Sequence, residues 1–372
     1  MKINVNRKNL MEALKLGGMV AGKCKTIPIL DCCKVSIKGG KMVVISTDLE
    51  VTIAKKVSIN SSEVEHYDFC VVPSDLTSIL ATIRDENIIL DVDNNYCVLE
   101  HSRGNAKVSV LPSADFPTTG GNENKTSFAM DATKLKSWLD SAKNFVVEDP
   151  LRPALGGMYF AIEDGEIWSC ASDSFKLHLD GYKDLAFSSM NLSMVIPSRV
   201  FGYASSMLDG YASVTVQADD NNIAFVVSDA KISSRLIVGA YPKVKQLTKL
   251  PQSIFVEVNS QDFADSISRM KLFADKVSKA VTLSFSSDGI KLTSSDLLTN
   301  KSCEDFCDVL AYDGDSIEIC TKTDSLAAIM PEIKSETFMV SMTTEKSPIV
   351  IREADNPNKV LFTMPLLKPK NA

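Results

Sequence analysis

Apolar and polar positions along this chain alternate with two periods, and the switch from one to the other recurs. Residues 3–15 (INVNRKNLMEALK), 128–143 (FAMDATKLKSWLDSAK) and 255–271 (FVEVNSQDFADSISRMK) each open on a period of two and pass into a spacing of three and four. That predicts a short strand running into an amphipathic helix. The helices carry apolar stripes at Leu10 and Leu14, at Leu135, Leu139 and Ala142, and at Phe263, Ile267 and Met270, which predicts that these faces are buried. The offset between copies is about 125 residues, the size of a domain and too long for a solenoid repeat.

The segment beyond each helix also repeats. Residues 34–50 (KVSIKGGKMVVISTDLE), 158–175 (MYFAIEDGEIWSCASDSF) and 281–298 (VTLSFSSDGIKLTSSDLL) read as two strands joined at Gly39-Gly40, Asp164-Gly165 and Asp288-Gly289. Such dipeptides supply the positive φ of type I′ hairpin turns. Asp48, Asp173 and Asp296 fall at equivalent places beyond the second strand, which suits a turn or capping role. A further strand then runs into a second helix at residues 71–83, 195–208 and 319–330, with Ser74 and Ser198 placed as caps behind Pro73 and Pro197. A closing hairpin ends each unit, as at residues 96–111 and 223–238. The class is therefore α+β, a repeated and mostly antiparallel β domain whose two helices cover one sheet face. Periodicity lapses at residues 118–127 and 243–252, which read as linkers.

Composition narrows the function. The chain has 372 residues, 45% hydrophobic and 23% charged, as in an ordinary globular protein. It has no signal-peptide pattern and no apolar run near the roughly 20 residues of a membrane span, so a cytoplasmic protein is expected. Nine scattered cysteines, with Cys32 and Cys33 adjacent, form no disulfide framework, and reduced thiols are expected. Cys303 and Cys307 lack the further Cys or His ligands that a zinc site needs, and no cofactor is implied. A net charge of −7 argues against gripping nucleic acid by bulk electrostatics, unless basic residues are segregated onto one wall. Lys8 and Lys15, Lys136 and Lys143, and Arg269 and Lys276 recur at a spacing that lines them up on the first helices.

Several strings then match one family in order along the chain: TIPIL at residues 26–30, TDLE at 47–50, LPSADFP at 111–117, ASDSFKL at 171–177, VIP at 195–197, GAYP at 239–242 and MPLL at 364–367. With the repeat and the length, the chain resembles the bacterial DNA polymerase III beta subunit, the sliding clamp. The resemblance implies three clamp domains, at residues 1–122, 127–248 and 253–372, each with antiparallel sheets outside and two helices inside, in a head-to-tail dimeric ring. It implies a non-enzymatic processivity factor that encircles double-stranded DNA without sequence preference. Its partners would be the replicative polymerase alpha subunit, the clamp loader, and other polymerases and repair proteins carrying short clamp-binding motifs.

Carried over residue by residue, the resemblance places DNA contacts at Lys23, Lys25, Arg152, Arg199, Lys276 and Lys279. The partner-peptide groove would comprise Leu155, Ser172, Ser174, Phe175, Lys176, Leu177, Pro242 and Leu247, with Pro348, Phe362, Met364, Pro365 and Leu366 from the C-terminal part. Apolar anchoring walls with a few polar rim groups are what such a groove needs. Ring closure would set Arg103, Ala106, Lys107 and Val108 against Leu272, Phe273, Glu304 and Asp305 of a second copy. The chain departs from the family at Asp75, where relatives often carry a basic residue, at Pro153 and Ala154, and at Phe175 and Ser174, which replace a His-Gly pair in that order.

Two rival classes are weaker. Residues 17–24 (GGMVAGKC) approach a phosphate-binding loop, but Cys24 stands where a Mg²⁺-binding Ser or Thr is required and the segment follows a helix. A monomeric peptide-binding scaffold that does not encircle DNA is the other alternative.

Overall fold

A computed structural model of the chain describes residues 1–60, 66–117 and 126–366. The C-terminal Leu367 of MPLL and most of the first linker lie outside them. Among the described residues are six α-helices: α1 (Arg7–Gly18), α2 (Pro73–Thr82), α3 (Ala132–Ala142), α4 (Phe201–Leu208), α5 (Ser260–Phe273) and α6 (Thr323–Ile329). Each first helix follows directly from a strand, Lys2–Asn6, Thr126–Asp131 or Ile254–Asn259. At the junction a short polar side chain holds backbone N–H groups of the opening turn: Asn6 accepts from Asn9 N, Asp131 from Lys134 N, and Asn259 from Gln261 N and Asp262 N. Those groups have no partner inside a helix, so a cap stabilises each start by ~1 kcal/mol.

The apolar stripes face inward as expected, with Leu10, Leu14, Leu135, Leu139, Ala142, Phe263, Ile267 and Met270 all at most 1% exposed. Full burial of each Leu, Ile, Phe or Met is worth about 1.5–3 kcal/mol, which is why these helices cannot leave the sheets.

The chain divides into two compact units, residues 1–137 with 199–236, and residues 138–198 with 237–372. In the first, a 13-stranded antiparallel sheet system carries α1 and α2, whose Leu10, Leu14, Leu76 and Leu80 share one core with strand residues such as Ile3, Val35, Val44 and Leu90. In the second, a nine-stranded and a four-stranded sheet hold the core. There Phe263 of α5 packs edge-on against Phe338, ring centroids 5.6 Å apart.

Pairing across repeats follows one rule inside each unit. The strand after the Asp48 turn, Val51–Asn60, pairs antiparallel with Ala230–Arg235, the closing strand of the central repeat, as in Ile53 opposite Ile232. The strand after the Asp173 turn, Lys176–Lys183, pairs in the same way with Asn356–Thr363, the closing strand of the last repeat, as in Leu177 opposite Phe362.

Several local expectations need correction. Ser74 and Ser198 do not cap. Val72 is the N-cap of α2 with Pro73 in the first turn, and Ser198 begins a 3₁₀ turn before α4. The hairpin turns at Gly39-Gly40 and Asp164-Gly165 have positive φ at both positions, as type I′ requires, but in the third copy only Gly289 does, at +144°. Gly289 is needed for space: a Cβ there would lie 2.2 Å from the Phe306 ring. Lys143 and Lys276 fall beyond the ends of α3 and α5, so the aligned basic pair on a helix survives only as Lys8 and Lys15. The second linker is a 3₁₀ segment, Val244–Lys249, with Val244 buried in the second unit's core. Residues 17–18 close α1, as expected of a helix end.

Candidate functional site

Asp173 builds the centre of the site in the second unit. Its Oδ1 accepts from Phe175 N and Lys176 N, each at 2.8 Å, and Oδ2 accepts from Lys176 Nζ at 2.8 Å. This tight turn drives Ser174 to a φ of +78° and leaves Phe175 40% exposed. Ser172, buried beneath, donates its hydroxyl to Lys176 O and accepts from Ser174 N. The other two repeats use the same device: Asp48 accepts from Glu50 N and Val51 N, and Asp296 from Leu298 N and Thr299 N. The three aspartates are thus turn residues, as their repetition suggested.

The C-terminal segment runs beside this turn. Met364 N donates to Phe175 O and Leu366 N to Cys320 O, both at 2.7 Å, while Thr321 Oγ1 donates to Met364 O. Met364, Pro365 and Leu366 are consequently held half-buried. Below them lies a sheet core of Leu177, Leu179, Val244, Val350, Val360 and Phe362, with Tyr159, Tyr241 and Leu247 packed at its margin. Leu177 and Phe362, 4% and 1% exposed, belong to this core and can shape a groove only as its floor. Leu155 and Pro348 are buried too, whereas Pro242 is exposed.

Charge gathers at the rim. Arg152 donates Nη1 to Ser174 Oγ at 2.7 Å and Nε to Asp149 Oδ2 at 2.9 Å. Backbone donation from Leu151, then the Arg152 guanidinium, holds the Asp149 carboxyl below its ordinary range. Arg152, read from sequence as a DNA contact, therefore stands against a groove residue. Two further rim cations were not anticipated. Lys322 Nζ lies 3.2 Å from the centre of the Phe175 ring, and Lys245 Nζ lies 4.8 Å from that of Trp168 while pairing with Glu166. Burial also pushes the Tyr241 phenol up, next to the Cys170 thiol. No local pattern could have announced Lys322, because it reaches the groove only through strand pairing; Tyr241 was present in the GAYP string.

The remaining basic residues are dispersed. In the first unit, Lys23 and Lys25 are exposed on the turn after α1, and Arg199 pairs with Glu50. In the second, Lys276 is exposed after α5, and Lys279 pairs with Asp324. Hydrogen bonding from Lys279 is the main cause that holds the Asp324 carboxyl low.

Two of the strands that end a sheet carry the residues expected at a ring interface. Gly104–Ser109 pairs with Tyr96–His101 and Lys301–Cys307 with Gly289–Asp296, and each is terminal in its sheet order. Next to the first, Arg103 is exposed; on it, Ala106 and Val108 are half-buried and Lys107 lies 3.5 Å over the Tyr96 ring. Leu272 is 75% exposed and Phe273 half-buried at the end of α5. Glu304 and Asp305, expected to face a partner's bases, are engaged within the chain by Lys291 and Arg269 at 2.9 and 2.6 Å.

Comparison with known proteins then bears on what these parts are. Family models of the DNA polymerase III beta subunit match in order, the N-terminal domain over residues 1–120, the central domain over 129–243 and the C-terminal domain over 250–367. The chain belongs to the DNA polymerase III beta subunit family. Relatives of this family include the beta sliding clamps of Salmonella typhimurium, 23% identical over 98% of this chain and 100% of the relative, and of Escherichia coli, 22% identical over the same shares. Solved structures agree in fold. The Pseudomonas aeruginosa beta subunit superposes with a TM-score of 0.92 at 20% identity, covering 98% of this chain and 100% of that one. The Bacillus subtilis sliding clamp gives 0.90 at 19% identity, covering 99% and 100%. A Pseudomonas aeruginosa clamp bound to griselimycin also superposes with a TM-score of 0.92, at 20% identity and 99% of each chain. Among the described residues, no helix is long and apolar enough to cross a membrane.

Proposed function

We propose that two copies of this chain close head to tail into a ring around duplex DNA and tether the replicative polymerase to it as a processivity factor. The observation that carries this reading is the ordered run of beta-subunit domain matches along one chain. The three clamp domains would span residues 1–122, 127–248 and 253–372.

The pairing rule supports ring closure independently. The closing strand of each later repeat pairs with the post-aspartate strand of the repeat before it. Applied throughout, that rule leaves two strands wanting partners, Gly104–Ser109 of the first repeat and Lys301–Cys307 of the last. A second copy supplies each with the other. The contact is heterologous, so it closes only when the rotation between copies closes. Val108, Leu272 and Phe306 offer apolar contact there, and Arg103 and Lys107 approach a margin that includes Glu304 and Asp305.

A closed ring replaces tight binding by topological linkage, so weak and sequence-blind contacts to phosphates suffice. Lys8, Lys15, Lys23, Lys25 and Lys276, exposed, would provide them together with Arg199 and Lys279, and a net charge of −7 is then no obstacle. The chain performs no reaction of its own, acts in the cytoplasm, and receives short peptide motifs of the polymerase alpha subunit, clamp loader and repair proteins in the groove beside Phe175 and Met364.

The test separates ring from groove. Light scattering after gel filtration should give a dimer of the 40.6 kDa chain. Met364→Ala with Leu366→Ala should preserve that dimer and abolish polymerase stimulation. Undiminished stimulation by the double variant would refute the groove, and a monomer would refute the ring.

A further inference from the structure

Lys322 sits where the groove meets the C-terminal segment. Its ammonium lies 3.2 Å from the centre of the Phe175 ring, which is 40% exposed. Phe175 O in turn accepts from Met364 N, and Thr321, the residue before Lys322, holds Met364 O. The other rim cations are paired with carboxylates: Arg152 with Asp149, Lys176 with Asp173, and Lys245 with Glu166. Among the described residues no carboxylate lies within ion-pairing distance of Lys322. The nearest acid in sequence, Asp324, is taken by Lys271 and Lys279. An aromatic face compensates an ammonium only in part. A half-buried cation so placed favours a ligand that brings the missing negative charge.

We propose that Lys322 selects partner peptides carrying a carboxylate beside their apolar anchors, and that the Phe175 ring holds the ammonium in position to receive it. The inference rests on the groove reading above and adds the chemical class of the ligand. It also gives a reason for Phe175 at this position: a flat apolar face both seats an anchor and orients the neighbouring charge.

The test is fluorescence anisotropy with the full chain and labelled synthetic nonapeptides bearing leucine and phenylalanine anchors. They form pairs identical except for Asp or Asn at one position, with that position moved along the peptide. At one position the Asp peptide should bind about fivefold more tightly at low salt, the scale of a partly exposed ion pair, and the advantage should shrink as salt is added. Lys322→Gln should bind the two members equally, Lys322→Glu should prefer a Lys-containing peptide, and Lys322→Arg should keep the Asp preference. Equal affinities for Asp and Asn peptides at every position, or a preference that persists in Lys322→Gln, would overturn the proposal while leaving the groove standing. If no peptide binds, or binding survives Met364→Ala with Leu366→Ala, the groove reading fails and this proposal fails with it.

Discussion

Replacing Asp173 by alanine removes the support of the groove's central turn. The carboxylate accepts two backbone N–H groups and the Lys176 ammonium, all at 2.8 Å, with the two side chains 16% and 15% exposed. Hydrogen bonds to a charged group contribute about 1.5–3 kcal/mol each when buried, but water recovers part of that at an exposed turn. The partly exposed ion pair adds at most ~1 kcal/mol. The expected loss is therefore about 2–3 kcal/mol. Asp48→Ala removes the same two backbone bonds in the first unit without an accompanying lysine, so it should cost ~1 kcal/mol less. Asp173→Asn keeps the accepting Oδ1 and should lose about 1 kcal/mol. Trp138 and Trp168 both belong to the second unit, so intrinsic fluorescence during urea unfolding reads the relevant half of the chain. Without Asp173, Ser174 has little reason to keep a φ of +78°, and Phe175 and the Met364 backbone bond move with it. Groove-peptide affinity should then fall at least tenfold. An Asp173→Ala protein within ~0.5 kcal/mol of the parent, binding peptide normally, would show that the turn does not organise the groove.

Two further outcomes test the packing. Gly289→Ala places a Cβ 2.2 Å from the Phe306 ring and 3.0 Å from Cys307 O at a φ of +144°, so it should destabilise by about 2 kcal/mol, and adding Phe306→Ala should recover only part of this in urea unfolding. Burial pushes the Cys33, Cys70 and Cys97 thiols up to about 12 from an ordinary 9.0. The unfolded chain therefore loses those protons first: the thiols' contribution to stability is full below pH 9 and declines as pH rises toward about 12, a decline that Cys97→Ala should flatten and that urea midpoints across this range would reveal.

Periodicity made the repeated strand-to-helix switch readable, because burial of Leu10, Leu135 or Phe263 is decided by neighbours three and four residues away. Likewise, Asp48, Asp173 and Asp296 could be read as turn residues since the atoms they bind lie two and three residues on. Capping was harder to place. Ser74 and Ser198 looked suitable beside a proline, yet Pro73 sits inside the opening turn of α2 and Pro197 ends a strand, while Asn6, Asp131 and Asn259 serve the first helices. The groove was visible mainly as a resemblance. Which of its residues form the floor and which the rim depended on pairings such as Leu177 with Phe362, between strands remote in sequence. Lys322 escaped for the same reason, and so did the internal pairing of Asp305 with Arg269.

Encirclement is most directly measured by loading the protein, with clamp loader and ATP, onto a nicked circular plasmid and tracking its retention during gel filtration before and after a single restriction cut. A closed ring should co-elute with the circle at salt high enough to disrupt phosphate contacts, and leave once the DNA is linear. Equal retention on both forms, or loss from the intact circle at that salt, would rule out encirclement.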